Sequence, residues 1–137
     1  QKCAAVIYAW YPGEEGGTAL ADIISGRYNP TGKLTVSLPN TNEDVPIYYQ
    51  QKEKIENCVY PFGTGLSYTN YVYSNLEAPA EVSIEQDYFD VCFDVENTGN
   101  RFGTEIVQLY QKGKQENSKI KLIGFTRVSL EPKEKKV

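Results

Sequence analysis

The sequence predicts an α/β segment, strand-helix-strand, followed by a partial all-β sandwich. Three observations carry that prediction. A continuous apolar run, Ala4-Ala5-Val6-Ile7-Tyr8-Ala9-Trp10, has the character of a strand covered on both faces. It is followed by a helical stripe and then by the alternating stretch Lys33 to Leu38. After Leu76 the pattern changes to short strands with turn signals every ~8–12 residues, the spacing of a sandwich.

Taken in order, Tyr11-Pro12-Gly13 ends the first strand. A helix is predicted from Gly16 to Ser25, with Ala19, Leu20, Ile23 and Ile24 on one side and Gly26 placed for a left-handed C-terminal cap. Asn29-Pro30-Thr31-Gly32 fits a type I turn. Leu34, Val36 and Leu38 then share one face of a strand, with Lys33, Thr35 and Ser37 on its polar face, and Pro39 stops it. Asn40 to Lys54 reads as loop, anchored by Ile47-Tyr48-Tyr49. YPFGTGLSYT, residues 60–69, reads as a tight turn entering a strand; no helix follows its glycines, so it lacks the context of a phosphate cradle.

In the second half, Val82-Ser83-Ile84 suggests a brief strand and Tyr88 to Glu96 a long one, with Phe89, Val91, Phe93 and Val95 facing one way and Asp90, Cys92, Asp94 and Glu96 the other. Asn97-Thr98-Gly99-Asn100 is a turn signal. Further strands are expected at Glu105 to Gln111 and Ile120 to Leu130, the latter broken or bulged at Gly124. A turn follows at Glu131-Pro132-Lys133-Glu134, and another strand would begin at the last residues. About five strands stand against the seven a sandwich usually has, so this half is expected to be incomplete.

Several chemistries are excluded. A net charge of -4 argues against a phosphate-binding surface, and no apolar run approaches the ~20 residues of a membrane span. With no histidine, the 137 residues cannot hold Ser-His-Asp or Cys-His catalysis. Cys3, Cys58 and Cys92 are scattered and form no CxxC pair, so no metal is expected. One disulfide fits the count, but free buried thiols are the expectation. Lys133, Lys135 and Lys136 read as a solvated turn rather than a binding patch. There is no Met, position 1 included, so a fragment or a processed product is expected and the compartment, secreted and periplasmic included, stays unassigned.

The stretches AWYPGEEGGTALADIISGRYNPTGKLTVSLP, VPIYYQQK and YPFGTGLSYT resemble the C-terminal part of the α/β-sandwich domain of glycoside hydrolase family 3. DVENTGNRFGTEIVQLY and IKLIGFTRVSLEP are similar to the fibronectin type III-like domain that follows it in many members. The resemblance therefore implies two pieces, 1–70 and 71–137, the second an immunoglobulin-like sandwich of fibronectin type III-like form. It also implies a parent that is a retaining exo-β-glycosidase acting on terminal β-linked glucose or xylose in oligosaccharides and glycosides, without metal or organic cofactor. In the family the aspartate nucleophile lies on a preceding barrel and the acid/base glutamate on a loop upstream of these motifs. Neither motif matches this sequence, so no catalytic residue is carried over and the chain is expected to be scaffold, inactive alone. Many relatives have a longer insertion before the FG-x-G-L-S-Y block, where only Glu53 to Val59 stands here.

The remaining candidates lie around AWYPGEEGG. Glu14 and Glu15 precede the helix, where its dipole stabilises the ionised carboxylate by about 0.3–1 kcal/mol; that is poor tuning for a general acid, so both are expected to be structural. Trp10, Tyr11 and Glu15 are the substrate-facing candidates, because this loop follows the carboxyl end of a predicted strand and aromatic faces suit sugar rings. Tyr48 and Tyr49 are weaker versions of the same idea. The rival reading is a carbohydrate-binding or structural β-sandwich module without catalysis.

Overall fold

The computed structural model describes residues 3–42, 45–48, 58–83, 85–114 and 120–137. It is mostly β-sheet with one short helix, α1 (Gly16–Ile24). The strands in chain order are β1 (Leu38–Pro39), β2 (Cys58–Tyr60), β3 (Tyr71–Glu77), β4 (Cys92–Asn97), β5 (Gly103–Lys112), β6 (Ile120–Leu130) and β7 (Lys135–Lys136). All pairs are antiparallel: β1 with β2, β3-β4-β7 as one sheet, and β5 with β6.

Helix α1 ends as its sequence predicts. Gly26 adopts φ +75°, a conformation that costs a residue without Cβ almost nothing, and its N–H donates to the Ile23 carbonyl at 2.9 Å. The predicted apolar stripe is only partly covered, since Leu20 and Ile23 are half-buried while Ala19 and Ile24 face solvent.

Three predictions for the first half change. Residues 4–10 belong to no strand: a strand needs neighbours for its backbone groups, none pairs with it among the described residues, and Val6, Ile7 and Tyr8 stay about half exposed. The expected strand Lys33 to Leu38 shrinks to Leu38–Pro39. Ahead of it, Leu34 exchanges two backbone bonds of 2.8 Å with Gly63 and Thr64, and the Ser37 hydroxyl accepts from the Phe62 N–H at 2.9 Å, so the predicted polar face is covered at Ser37 and partly at Lys33 while Thr35 stays exposed. Asn29 to Gly32 forms no turn, because the Asn29 side chain is engaged elsewhere. Residues 43–44 and 49–54 of the predicted loop, Tyr49 among them, and Ile84 lie outside the described residues.

The second half keeps its turns and two of its strands: β6 has the predicted bounds Ile120–Leu130, and β5 extends the predicted Glu105 to Gln111 at both ends. The bend at 99–101 and the turn at 132–133, closed by Glu134 N–H to the Glu131 carbonyl at 3.1 Å, fall where expected. Leu109 faces Gly124 while Tyr110 faces Leu122, so Ile123 is the extra residue of a bulge one position from that predicted. Val82 and Ser83 are not in a strand, and β4 starts only at Cys92, where its partner β3 ends opposite it (Glu77↔Cys92). Asp94 is buried as well as Val95, so both faces of β4 are covered at this point. The cysteines are free as expected but not buried: Cys3 and Cys92 are exposed and Cys58 is half-buried.

The core is small. Val95 of β4, Val107 of β5 and Leu130 of β6 are its buried apolar side chains among the described residues, drawn from both larger sheets. Each contributes about 1.5–3 kcal/mol. Beside them sits Asn97, with no exposed surface. Its amide nitrogen donates to the carbonyls of Arg101 (2.8 Å) and Leu130 (3.2 Å), and its oxygen accepts from the Thr69 hydroxyl (2.6 Å) and the Gly99 N–H (3.1 Å). Its backbone binds Lys133 and Glu134, each at 2.9 Å. The residue predicted to open a turn is the hub that joins two of them.

Candidate functional site

The three predicted site residues share one loop at the N-terminal end of α1. Trp10 has φ +53°, a conformation that strains a bulky side chain by about 1–3 kcal/mol and that surrounding structure must hold. Tyr8 supplies part of that hold, meeting the Trp10 ring edge-on with centroids 4.7 Å apart and planes at 87°. Tyr11 is 99% exposed. The chain then turns, with Gly16 N–H donating to the Gly13 carbonyl at 3.0 Å, and Gly16 is buried where any Cβ would strike the Pro12 ring. Glu15 is the N-cap residue; its carbonyl accepts from Ala19 N–H at 2.9 Å, while its side chain makes no capping bond. Glu14 sits in the preceding turn and is exposed. Neighbours in sequence at a helix entrance, the two glutamates have the position of a helix start. Tyr48 is exposed as well.

The C-terminal end of α1 carries a second constellation that local sequence reasoning missed. Tyr68 donates its hydroxyl to the Ile23 carbonyl at 2.8 Å. Arg101 donates to the Gly26 carbonyl and lies over the Tyr68 ring at 5.6 Å from its centroid. Tyr68 adds a second donor to a carbonyl of the last helical turn, Arg101 holds the carbonyl of the glycine just past the helix, and the guanidinium complements the negative end of the dipole. Asn29 ties the same region together, donating to the Phe102 carbonyl at 3.1 Å and accepting from the Ser67 hydroxyl (2.9 Å) and the Tyr68 N–H (2.8 Å). A cleft of about 260 Å³ lies here, lined by Gly26, Tyr28, Asn29, Arg101, Phe102 and Thr104 among others.

A buried polar cluster lies below. Lys33 reaches both oxygens of Glu105, at 3.1 and 3.2 Å, and the Gly65 carbonyl at 3.1 Å, and Tyr73 donates to Oε1 of the same carboxylate at 3.0 Å. Burial, and then the negative charge of Glu105, hold the proton on Tyr73 and push its pKa upward; Tyr71 is raised chiefly by burial. Nothing in local periodicity marks a lysine and a glutamate 72 positions apart as partners. Among the described residues no group of three or more acidic, histidine or cysteine side chains is placed to hold a metal ion.

Comparison with known proteins gives this geometry a family. Residues 1–68 match the profile of the glycosyl hydrolase family 3 C-terminal domain. A xylan 1,4-β-xylosidase from Xylanibacter ruminicola is 38% identical over 95% of this chain, and β-glucosidase B from Emericella nidulans 33% identical over 98%. The chain spans only 16% and 20% of those two proteins. Among solved structures, a β-glucosidase from Erythrobacter marinus superposes with TM-score 0.80 at 37% identity, covering 93% of this chain and 18% of that one. A β-glucosidase from Listeria innocua in complex with isofagomine does so with TM-score 0.80 at 29% identity, covering 93% and 21%. The similarity runs through both the helix-bearing segment and the five strands that follow it: the chain belongs to glycoside hydrolase family 3.

Proposed function

We propose that this chain is one part of a retaining exo-β-glycosidase that removes terminal β-linked glucose or xylose from oligosaccharides and glycosides. Residues 1–70 are the end of its α/β-sandwich domain, and 71–137 the start of a fibronectin type III-like domain. The two β-sheets with their shared Val95, Val107 and Leu130 core support the second assignment. The carrying observation is that proteins named β-xylosidase and β-glucosidase align along nearly all of this chain, while the chain spans about a fifth of each. Complexes of the Listeria innocua enzyme hold glucose and laminaribiose, ligands of the class proposed.

Retention requires two carboxyl groups ~5–5.5 Å apart across the scissile bond, one acting as nucleophile and one as acid/base. Glu14 and Glu15, adjacent at a helix entrance, suit neither role, so the bond-breaking groups belong elsewhere in the enzyme and this chain is scaffold. Its contribution to the site is one wall: Trp10 and Tyr11 offer aromatic faces to a sugar ring, and Glu15 offers an acceptor to a hydroxyl. The strained Trp10 backbone supports this, since such strain gathers at ligand-binding loops.

The test is turnover of aryl β-glucosides and β-xylosides by the purified chain and by the complete enzyme. The complete enzyme is expected to hydrolyse one or both with retained anomeric configuration, and the chain alone to stay at blank rate. Turnover by the chain alone that Glu15→Gln abolishes would overturn the scaffold reading.

A further inference from the structure

We propose that Arg101, from the strand-rich half, is a positioning residue for the Trp10–Glu15 loop and acts on it through helix α1. The inference rests on that loop facing substrate. Its physical basis is a continuous series of contacts. Arg101 and Tyr68 grip the C-terminal end of α1 at the Gly26 and Ile23 carbonyls. The guanidinium presses so close to Gly26 that a Cβ there would lie 3.3 Å from its nitrogens, and Gly26 itself is left-handed, so the grip is built for glycine. A helix of nine residues is a rigid rod about 13 Å long, so fixing one end fixes the other. At that other end Gly16 packs against Pro12, which carries Tyr11 and Trp10 directly.

Without the grip, α1 has little else to hold it. Gly16 is its buried residue, and Ile24 is 73% exposed. An isolated helix of this length is marginal in water, so its orientation depends on what binds its ends. The Arg101 contribution is thus geometric: it sets where the loop stands, and a displaced loop weakens substrate binding before it touches bond cleavage.

The experiment uses the complete enzyme with an aryl β-glycoside substrate and four variants: Tyr11→Ala, Arg101→Met, Arg101→Lys and the double Tyr11→Ala/Arg101→Met. Tyr11→Ala and Arg101→Met are each expected to raise KM roughly three- to tenfold with kcat within about twofold. Arg101→Lys recovers part of the loss, because an ammonium reaches the Gly26 carbonyl but does not stack on Tyr68 as a guanidinium does. The double variant is expected to show a KM no higher than the worse single variant, since both changes spoil the same contact. Tyr68→Phe, which deletes only the hydroxyl donor to Ile23, shifts KM in the same direction and serves if Arg101→Met does not fold. An unchanged KM in Tyr11→Ala overturns the loop's substrate role and the inference with it. A raised KM in Tyr11→Ala beside an unchanged KM in Arg101→Met and Tyr68→Phe, or strictly additive effects in the double variant, overturns the positioning role alone.

Discussion

The Lys33 ammonium and the Glu105 carboxylate stand 3.1 Å apart with their side chains only 16% and 11% exposed. This pair joins the segment after α1 to strand β5, and Tyr73 of β3 donates to the same carboxylate oxygen. A charge pair so far from water is costly to break and cheap to replace. Lys33→Met is expected to destabilise the chain by about 3–5 kcal/mol, because it strands the Glu105 charge in a covered site. The double variant Lys33→Met/Glu105→Leu is expected to cost much less than the sum of its singles. Urea unfolding of the set measures both, and additive losses would show that the pair is not coupled.

Asn97 carries a second structural prediction. Asn97→Leu keeps the volume and deletes four side-chain hydrogen bonds, leaving the Thr69 hydroxyl and the Arg101 and Leu130 carbonyls without their partner. Each stranded group costs about 1–3 kcal/mol, so a total loss on the order of 3 kcal/mol or more is expected from the same unfolding measurement.

Stability should fall at both ends of the pH scale, for different residues. The Asp94 pKa is lowered by hydrogen bonds from Lys135 (2.6 Å) and then Asn75 (2.5 Å), so its contribution is present above the ordinary value of 3.8 and is lost as pH falls through the lower folded value. Asp94→Asn should flatten that acid limb. The Tyr73 pKa is raised, so its contribution is complete below the ordinary value of 10.0 and is lost as pH climbs above it toward the folded value. Tyr73→Phe should remove the alkaline loss. Melting temperatures of the two variants across pH 2–12, set against the parent sequence, test both signs.

The chain by itself should bind a hydrophobic dye such as ANS strongly. Val6, Ile7 and Trp10 are about half exposed and Phe125 73% exposed, an unusual display for a folded domain. Dye fluorescence no greater than that of an ordinary folded protein of equal size would contradict this.

What could be read from the sequence follows from what is local. Gly26 after an apolar stripe located the end of α1, and Glu131-Pro132-Lys133-Glu134 located a turn, because both depend on a few adjacent backbone angles. The run Ala4 to Trp10 misled, because hydrophobicity shows that a segment can be covered but not whether partner strands stand beside it. Alternation set Asp94 on the face opposite Val95, but its ion pair with Lys135 depends on the return of β7 and could not be read locally. The Lys33–Glu105 pair and the Arg101–Tyr68 grip join residues remote in the chain, so no periodicity announces them. The family motifs carried the functional reading further than the residue chemistry did, since the sequence itself offers Trp10, Tyr11 and Glu15, and more weakly Tyr48 and Tyr49, as substrate-facing candidates and no catalytic pair.

The most direct measurement of the central claim is to find which residue becomes glycosylated during turnover. A retaining enzyme passes through a covalent glycosyl-enzyme, and a slowly released 2-fluoro sugar traps it. After the complete enzyme is labelled and digested, peptide mass mapping is expected to place the sugar on a carboxylate outside this 137-residue sequence. A label on any aspartate or glutamate of this chain would contradict the account.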